Sequence, residues 1–150
     1  MKRLGLLIVL VTFFGGCWGS GSDSDDADTM TELSLNRSVQ GNIAAVGEVD
    51  WYHFRVVEAN NILKVTCSGN HMRPEVDVLV TVYEEDANGN KVRLYAEHAM
   101  EDSELPTDIK IYVYIDRPKD IYIAVRDLVD YEASAQPYYL TIEYQQPAEG

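Results

Sequence analysis

The side chains that could do chemistry in this chain are many but dispersed. His53, His71 and His98 stand far apart and share no local metal-ligand spacing. Acids number 25 against 12 bases, so carboxylate pairs of the kind used in glycoside hydrolysis can be drawn almost anywhere, and the composition singles out none. No G-x-S-x-G elbow, H-E-x-x-H helix, Walker loop or G-x-G-x-x-G turn is present. Glu84, Asp86, Asn88 and Gly89 imitate the start of an EF-hand loop. Its last position falls on Tyr95, however, where a bidentate Glu is required. Asn88-Gly89 between two alternating segments reads instead as a hairpin turn, because both residues tolerate positive φ. An enzyme is not expected. The densest chemistry lies in Gly47-Glu48-Val49-Asp50-Trp51-Tyr52-His53-Phe54-Arg55-Val56, where four ring-bearing residues follow an acid directly.

The two cysteines have different settings. Cys67 shares a strand face with Leu63 and Val65 and reads as a small buried hydrophobe. With Cys17 as its sole counterpart, an intramolecular disulfide within the domain is excluded. Cys17 ends a different pattern: basic Lys2-Arg3, an apolar run from Leu4 to Phe14, then Gly15-Gly16-Cys17. The run is about half the roughly 20 apolar residues that a membrane-spanning helix needs, so residues 1–16 read as a cleaved export signal. The segment resembles a bacterial lipoprotein signal, although Phe14 stands where that family usually has Leu. The resemblance implies lipidation of Cys17 and a membrane contact through the lipid anchor alone. Trp18 follows Cys17 instead of the Asp associated with inner-membrane retention, which favours the outer membrane. Residues 17–30 are rich in Gly, Ser and Asp and read as a flexible acidic linker.

Charge limits the partners. The full chain carries −13; without Lys2 and Arg3, 10 bases face 25 acids, giving −15. Such a surface repels nucleic acid and anionic headgroups.

The elements that must position these residues are strands. Val76, Val78, Val80 and Val82 alternate with Asp77, Leu79, Thr81 and Tyr83, and Ile109 to Ile115, Ile121 to Val125 and Tyr138 to Tyr144 repeat the pattern. Period-two runs of β-branched and aromatic residues predict half-buried strands. The prediction is one all-β domain over residues 31–146, an antiparallel, jelly-roll-like sandwich, with 147–150 as a tail. In a strand from Asp50 to Val57, Tyr52, Phe54 and Val56 share one face, and Trp51, His53 and Arg55 the other. The first set is expected in the core. For Trp51, core and contact surface both stand open.

Val49-Asp50-Trp51-Tyr52-x-Phe54 resembles the opening motif of the bacterial pre-peptidase C-terminal domain, a β-sandwich appended to secreted proteases. The order continues with Gly41-Asn42-Ile43 before it and Val76 to Tyr83 with the Asp86-x-Asn88-Gly89 turn after it. Ile121 to Asp127 and Tyr138 to Ile142 complete the set. Asp120 replaces the family's usual Gly before its Tyr-Tyr strand. The resemblance implies a sandwich, and in some members calcium. Glu48 and Asp50 at one turn, and Asp127 and Asp130 after the Ile121 strand, are the calcium candidates; the other reading makes them separate, solvated turn residues. No other cofactor is expected. The expected role is a noncatalytic binding or accessory lipoprotein recognising protein or polysaccharide, with Trp51, Tyr112, Tyr114, Tyr122 and Tyr139 as contact candidates. The alternative is a structural envelope lipoprotein that acts as a partner subunit of another membrane component.

Overall fold

The computed structural model describes residues 30–69, 77–98 and 108–145. Cys17, the signal and linker segments, His71, Val76 and the C-terminal tail lie outside the described residues. Among the described residues there is no helix. The strands are β1 (Thr31–Glu32), β2 (Ser38–Gly41), β3 (Val49–Val56), β4 (Asn61–Ser68), β5 (Val78–Glu85), β6 (Lys91–His98), β7 (Ile109–Ile115), β8 (Lys119–Asp127) and β9 (Tyr138–Gln145). They form a five-stranded sheet ordered β1-β3-β8-β5-β6 and a four-stranded sheet ordered β2-β9-β4-β7.

The pairing is nested. β5 pairs with β6, β4 with β7, β3 with β8 and β2 with β9, each antiparallel. A single long hairpin, rolled so that successive pairs alternate between two sheets, generates this order. It is the jelly roll that the alternating segments predicted. One pair departs from the antiparallel expectation: β1 runs parallel to β3, placing Thr31 opposite Tyr52 and Glu32 opposite His53. The chain then crosses to the other sheet as β2, so β1 is an added edge rather than part of the roll.

The inward faces are those that the period of two selected. Tyr52, Phe54 and Val56 meet Leu63, Val65 and Cys67, Val78, Val80 and Val82, Ile109, Ile111, Val113 and Ile115, Ile121, Ile123 and Val125, and Tyr138, Leu140 and Ile142 in one core. Burying each large apolar side chain contributes about 1.5–3 kcal/mol, so this shared interior holds the two sheets together. β3 ends at Val56, one residue before the expected end, and Val57 is exposed.

The β5–β6 connection is the hairpin that Asn88-Gly89 predicted, but only Gly89 of the two takes positive φ. Gly89 has φ 82 and Asn88 keeps an ordinary negative φ. The Gly89 amide donates to the Asp86 carbonyl at 3.1 Å and the Asp86 amide to the Asn90 carbonyl at 2.9 Å, closing a three-residue loop. The Asp86 carboxylate accepts from the amides of Asn88 at 2.8 Å and Asn90 at 2.9 Å. These local acceptor bonds outweigh the Asn-Gly preference, and they hold the Asp86 pKa below the usual carboxylate value.

Candidate functional site

The outer face of the five-stranded sheet carries a layer of rings. Trp51 of β3, Tyr83 of β5 and Tyr122 of β8 all have the parity opposite to the core residues, which turns them outward. In register, Tyr83, Tyr122 and His53 form one row, and Thr81, Ala124 and Trp51 the next. The Trp51 and Tyr83 ring centroids are 5.5 Å apart, and those of His53 and Tyr122 are 5.1 Å apart. Thr81 and Ala124 point to this face yet are buried, because the layer roofs them. Lys91, the first residue of β6, sets its Nζ 5.3 Å from the Trp51 ring centre and 5.2 Å from that of Tyr122. The Tyr122 hydroxyl donates to Glu85 at 2.9 Å. Burial and this carboxylate push the Tyr122 pKa up to about 12.

Beside the rings lies an ionic chain. His53 Nδ1 is 2.6 Å from Glu32 of β1 and its Nε2 is 2.9 Å from Asp120, which also binds Arg55. Partial burial opposes ionisation of His53, but its hydrogen bonds to Glu32 and Asp120 outweigh that effect, so its pKa is raised. Asp120, where the resembling family has Gly, thus bonds both His53 and Arg55 of β3. His53 is engaged by carboxylates rather than grouped with metal ligands.

Trp51 also borders a polar cleft of about 370 Å³, walled by Gln40, Asn42, Glu48, Asp50 and Tyr52 among others. At its base the Tyr138 hydroxyl donates to Asp50 and pairs with the Tyr52 hydroxyl at 2.6 Å. Burial raises the Asp50 pKa against the lowering effect of the Tyr138 bond, and the nearby Glu48 adds to the rise. Gly41 closes this corner: a Cβ there would collide with the hydroxyls of Tyr138 and Tyr52.

The remaining sequence candidates fall elsewhere. Tyr112 and Tyr114 of β7 and Tyr139 of β9 are exposed on the outer face of the four-stranded sheet, with β4 between them. Tyr122 lies on the opposite face of the sandwich, so the four tyrosines do not make one stripe. The calcium candidates are each engaged singly. Asp127 is buried, and its carboxylate accepts from the amides of Asp77, Tyr131 and Glu132. Asp130 holds Arg126 at 3.0 Å, and Glu48 accepts from the Ala45 amide at 2.8 Å. Among the described residues no group of three or more His, Cys, Asp or Glu side chains is placed to hold a metal. Cys67 is buried, and burial pushes its thiol up to about 12. Two members of the ring layer, Lys91 and Tyr83, escaped sequence reasoning. Only the non-local β5–β8 and β3–β8 registers bring Tyr83 beside Trp51.

No family model matches the sequence, and no curated protein matches it. Among solved structures, the pre-peptidase C-terminal domain of a Bacillus anthracis collagenase is similar with a TM-score of 0.50 and 15% identity, over 76% of this chain and 94% of that one. A surface-associated copper-binding protein of Methylomicrobium album BG8 gives a TM-score of 0.49 at 7% identity, over 78% and 99%. A xylan-binding domain from Paenibacillus barcinonensis gives 0.41 at 18%, over 74% of each chain. By its likeness to the collagenase domain, this chain has a β-sandwich fold like that of a pre-peptidase C-terminal domain.

Proposed function

We propose that this protein is an exported, lipid-anchored, noncatalytic binding or accessory module of the cell envelope, held at the outer membrane through Cys17, that recognises protein or polysaccharide on its Trp51 face. The observation that carries the reading is the position of Trp51. Its ring joins an aromatic layer on one side and borders a polar cleft on the other. An aromatic plane beside amide and carboxylate groups offers apolar contact together with hydrogen bonds, the combination that small recognition sites use. The order Lys2-Arg3, apolar run, Gly15-Gly16-Cys17 supports the anchor.

Glycan-array and envelope-protein screens with the wild type and Trp51→Ala test the reading. A ligand that is lost in Trp51→Ala, with the thermal melt unchanged, supports it. Ligands bound equally by both proteins would move recognition off this face. Membrane fractionation of Cys17→Ser tests the anchor, which falls if the variant stays with membranes and the wild type takes up no labelled palmitate. The structural-subunit reading draws on β6, an edge strand with Val92, Leu94 and Tyr95 exposed. That reading would be favoured if β6 substitutions, and not Trp51→Ala, released a membrane partner.

A further inference from the structure

We infer that the cleft beside Trp51 binds one uncharged sugar ring of a polysaccharide through its hydroxyl groups, with the Asp50 and Glu48 carboxylates as acceptors and the Gln40 and Asn42 amides as donors. The inference rests on the Trp51 face being the recognition surface and specifies which of the two ligand classes that face takes. The cleft lies between the end of β2 and the start of β3. At about 370 Å³ it falls at the small end of the roughly 300–1,000 Å³ usual for ligand sites.

The polar groups of the cleft are held in place without being used up. Asp50 keeps one carboxylate oxygen, Oδ2, on the Tyr138 hydroxyl, and Glu48 keeps Oε2 on the Ala45 amide at 2.8 Å. Each carboxylate is thereby oriented, while its other oxygen makes no hydrogen bond among the described residues. The side-chain amides of Gln40 and Asn42 make none there either. A hydroxyl group both donates and accepts, so a ring bearing several of them matches this mixture of acceptors and donors. Other ligand classes match it less well. An anion meets two carboxylates, and no Lys, Arg or His is among the described residues that line the cleft. A metal ion finds no group of three ligating side chains among the described residues. A bare ammonium would leave both amides without a role, and an apolar side chain of a partner protein would face polar walls. Trp51 at the rim supplies the flat apolar surface against which the C–H face of a sugar ring packs.

The test uses the full chain carrying Trp18→Phe, in a detergent without a sugar headgroup, which leaves Trp51 as the single tryptophan of the two. Its fluorescence is titrated with hexasaccharides of glucose, mannose, xylose and N-acetylglucosamine. Hexagalacturonate serves as the acidic counterpart and methylammonium chloride as the cation, all at equal ionic strength. The expected result is a saturable change with at least one uncharged hexasaccharide and none with hexagalacturonate. Gln40→Ala combined with Asn42→Ala should weaken that binding about tenfold with the melt retained. Glu48→Gln keeps an acceptor and removes the charge, and should leave it nearly unchanged. No saturable change with any uncharged hexasaccharide, equal binding of hexagalacturonate, or undiminished binding in the amide double variant overturns the sugar site. Saturation by methylammonium alone, lost in Glu48→Gln, overturns it in favour of a cation site. Should the double variant fail to fold, the comparison of uncharged with acidic hexasaccharides in the parent still decides. If a ligand from the screens is lost in Trp51→Ala although the sugar site is overturned, the binding-module reading stands without it. If no screened ligand depends on Trp51 either, the wider reading fails too.

Discussion

Tyr138 is fully buried, and its hydroxyl donates to Asp50 while pairing with Tyr52. Removing a hydroxyl from such a network strands its partners. Tyr138→Phe should therefore cost about 1–3 kcal/mol in urea unfolding, and more than Tyr112→Phe at the exposed face of β7. Equal costs for the two would show that the buried pair contributes nothing beyond packing. His53 gives a pH-dependent case. Its folded pKa lies above the ordinary 6.5, so ionised His53 stabilises the fold fully below pH 6.5, and that support is lost as pH rises through the folded value. The readout is local, because the Leu33 amide donates to the His53 carbonyl at 2.8 Å. Protection of that amide, corrected for intrinsic exchange, should fall as pH rises from about 6 to 8, and His53→Gln should flatten the trend. The period of two placed Tyr52 and Tyr138 in the core and His53 on the other face, and it left Trp51 open between core and contact surface. The hydroxyl pair and the Glu32–His53–Asp120 chain were not legible, since they depend on strands far apart in sequence coming into register.

At the scale of elements, β2 is short and only partly covered, yet its last residue decides how closely it approaches the β9 and β3 side chains. Gly41 lies under the Tyr138 and Tyr52 hydroxyls. Gly41→Ala should push β2 off this corner at a cost of about 1–3 kcal/mol, lowering the melt by several degrees. Gly47→Ala meets no atom within 4 Å and isolates the backbone cost, because that glycine also has positive φ at 78°. Equal losses for the two would refute the steric account. Strand segments of the core were legible because β-branched alternation marks a half-buried face. β6 was legible only through its turn. Its pattern of Val92, Leu94 and Tyr95 reflects an edge with partial cover on either side, where alternation weakens.

The whole molecule is one interior enclosed by nested pairs, and Cys67 reports on it. The thiol is buried against β7 and β9 neighbours and pushed up to about 12. In a Cys17→Ser background, thiol reagents should label Cys67 only at the rate of global unfolding, with the same denaturant dependence as tyrosine fluorescence. Labelling that outpaces unfolding would mean that β4 opens by itself. The all-β, jelly-roll-like sandwich was readable from the chain, but which strand pairs with which was not, because alternation specifies faces and says nothing about neighbours. The parallel β1 was also hidden, being two residues long. That short edge gives the fold a mechanical property. Tension applied from the N-terminal side meets first the two-residue β1 ladder and the Glu32–His53 latch, and then Leu33, buried in the core. Residues 31 and 32 can peel away under load and extend the chain by about 7 Å before the sandwich itself bears any force. The edge is a mechanical fuse, and because His53 titrates, it yields more readily as the surroundings become alkaline.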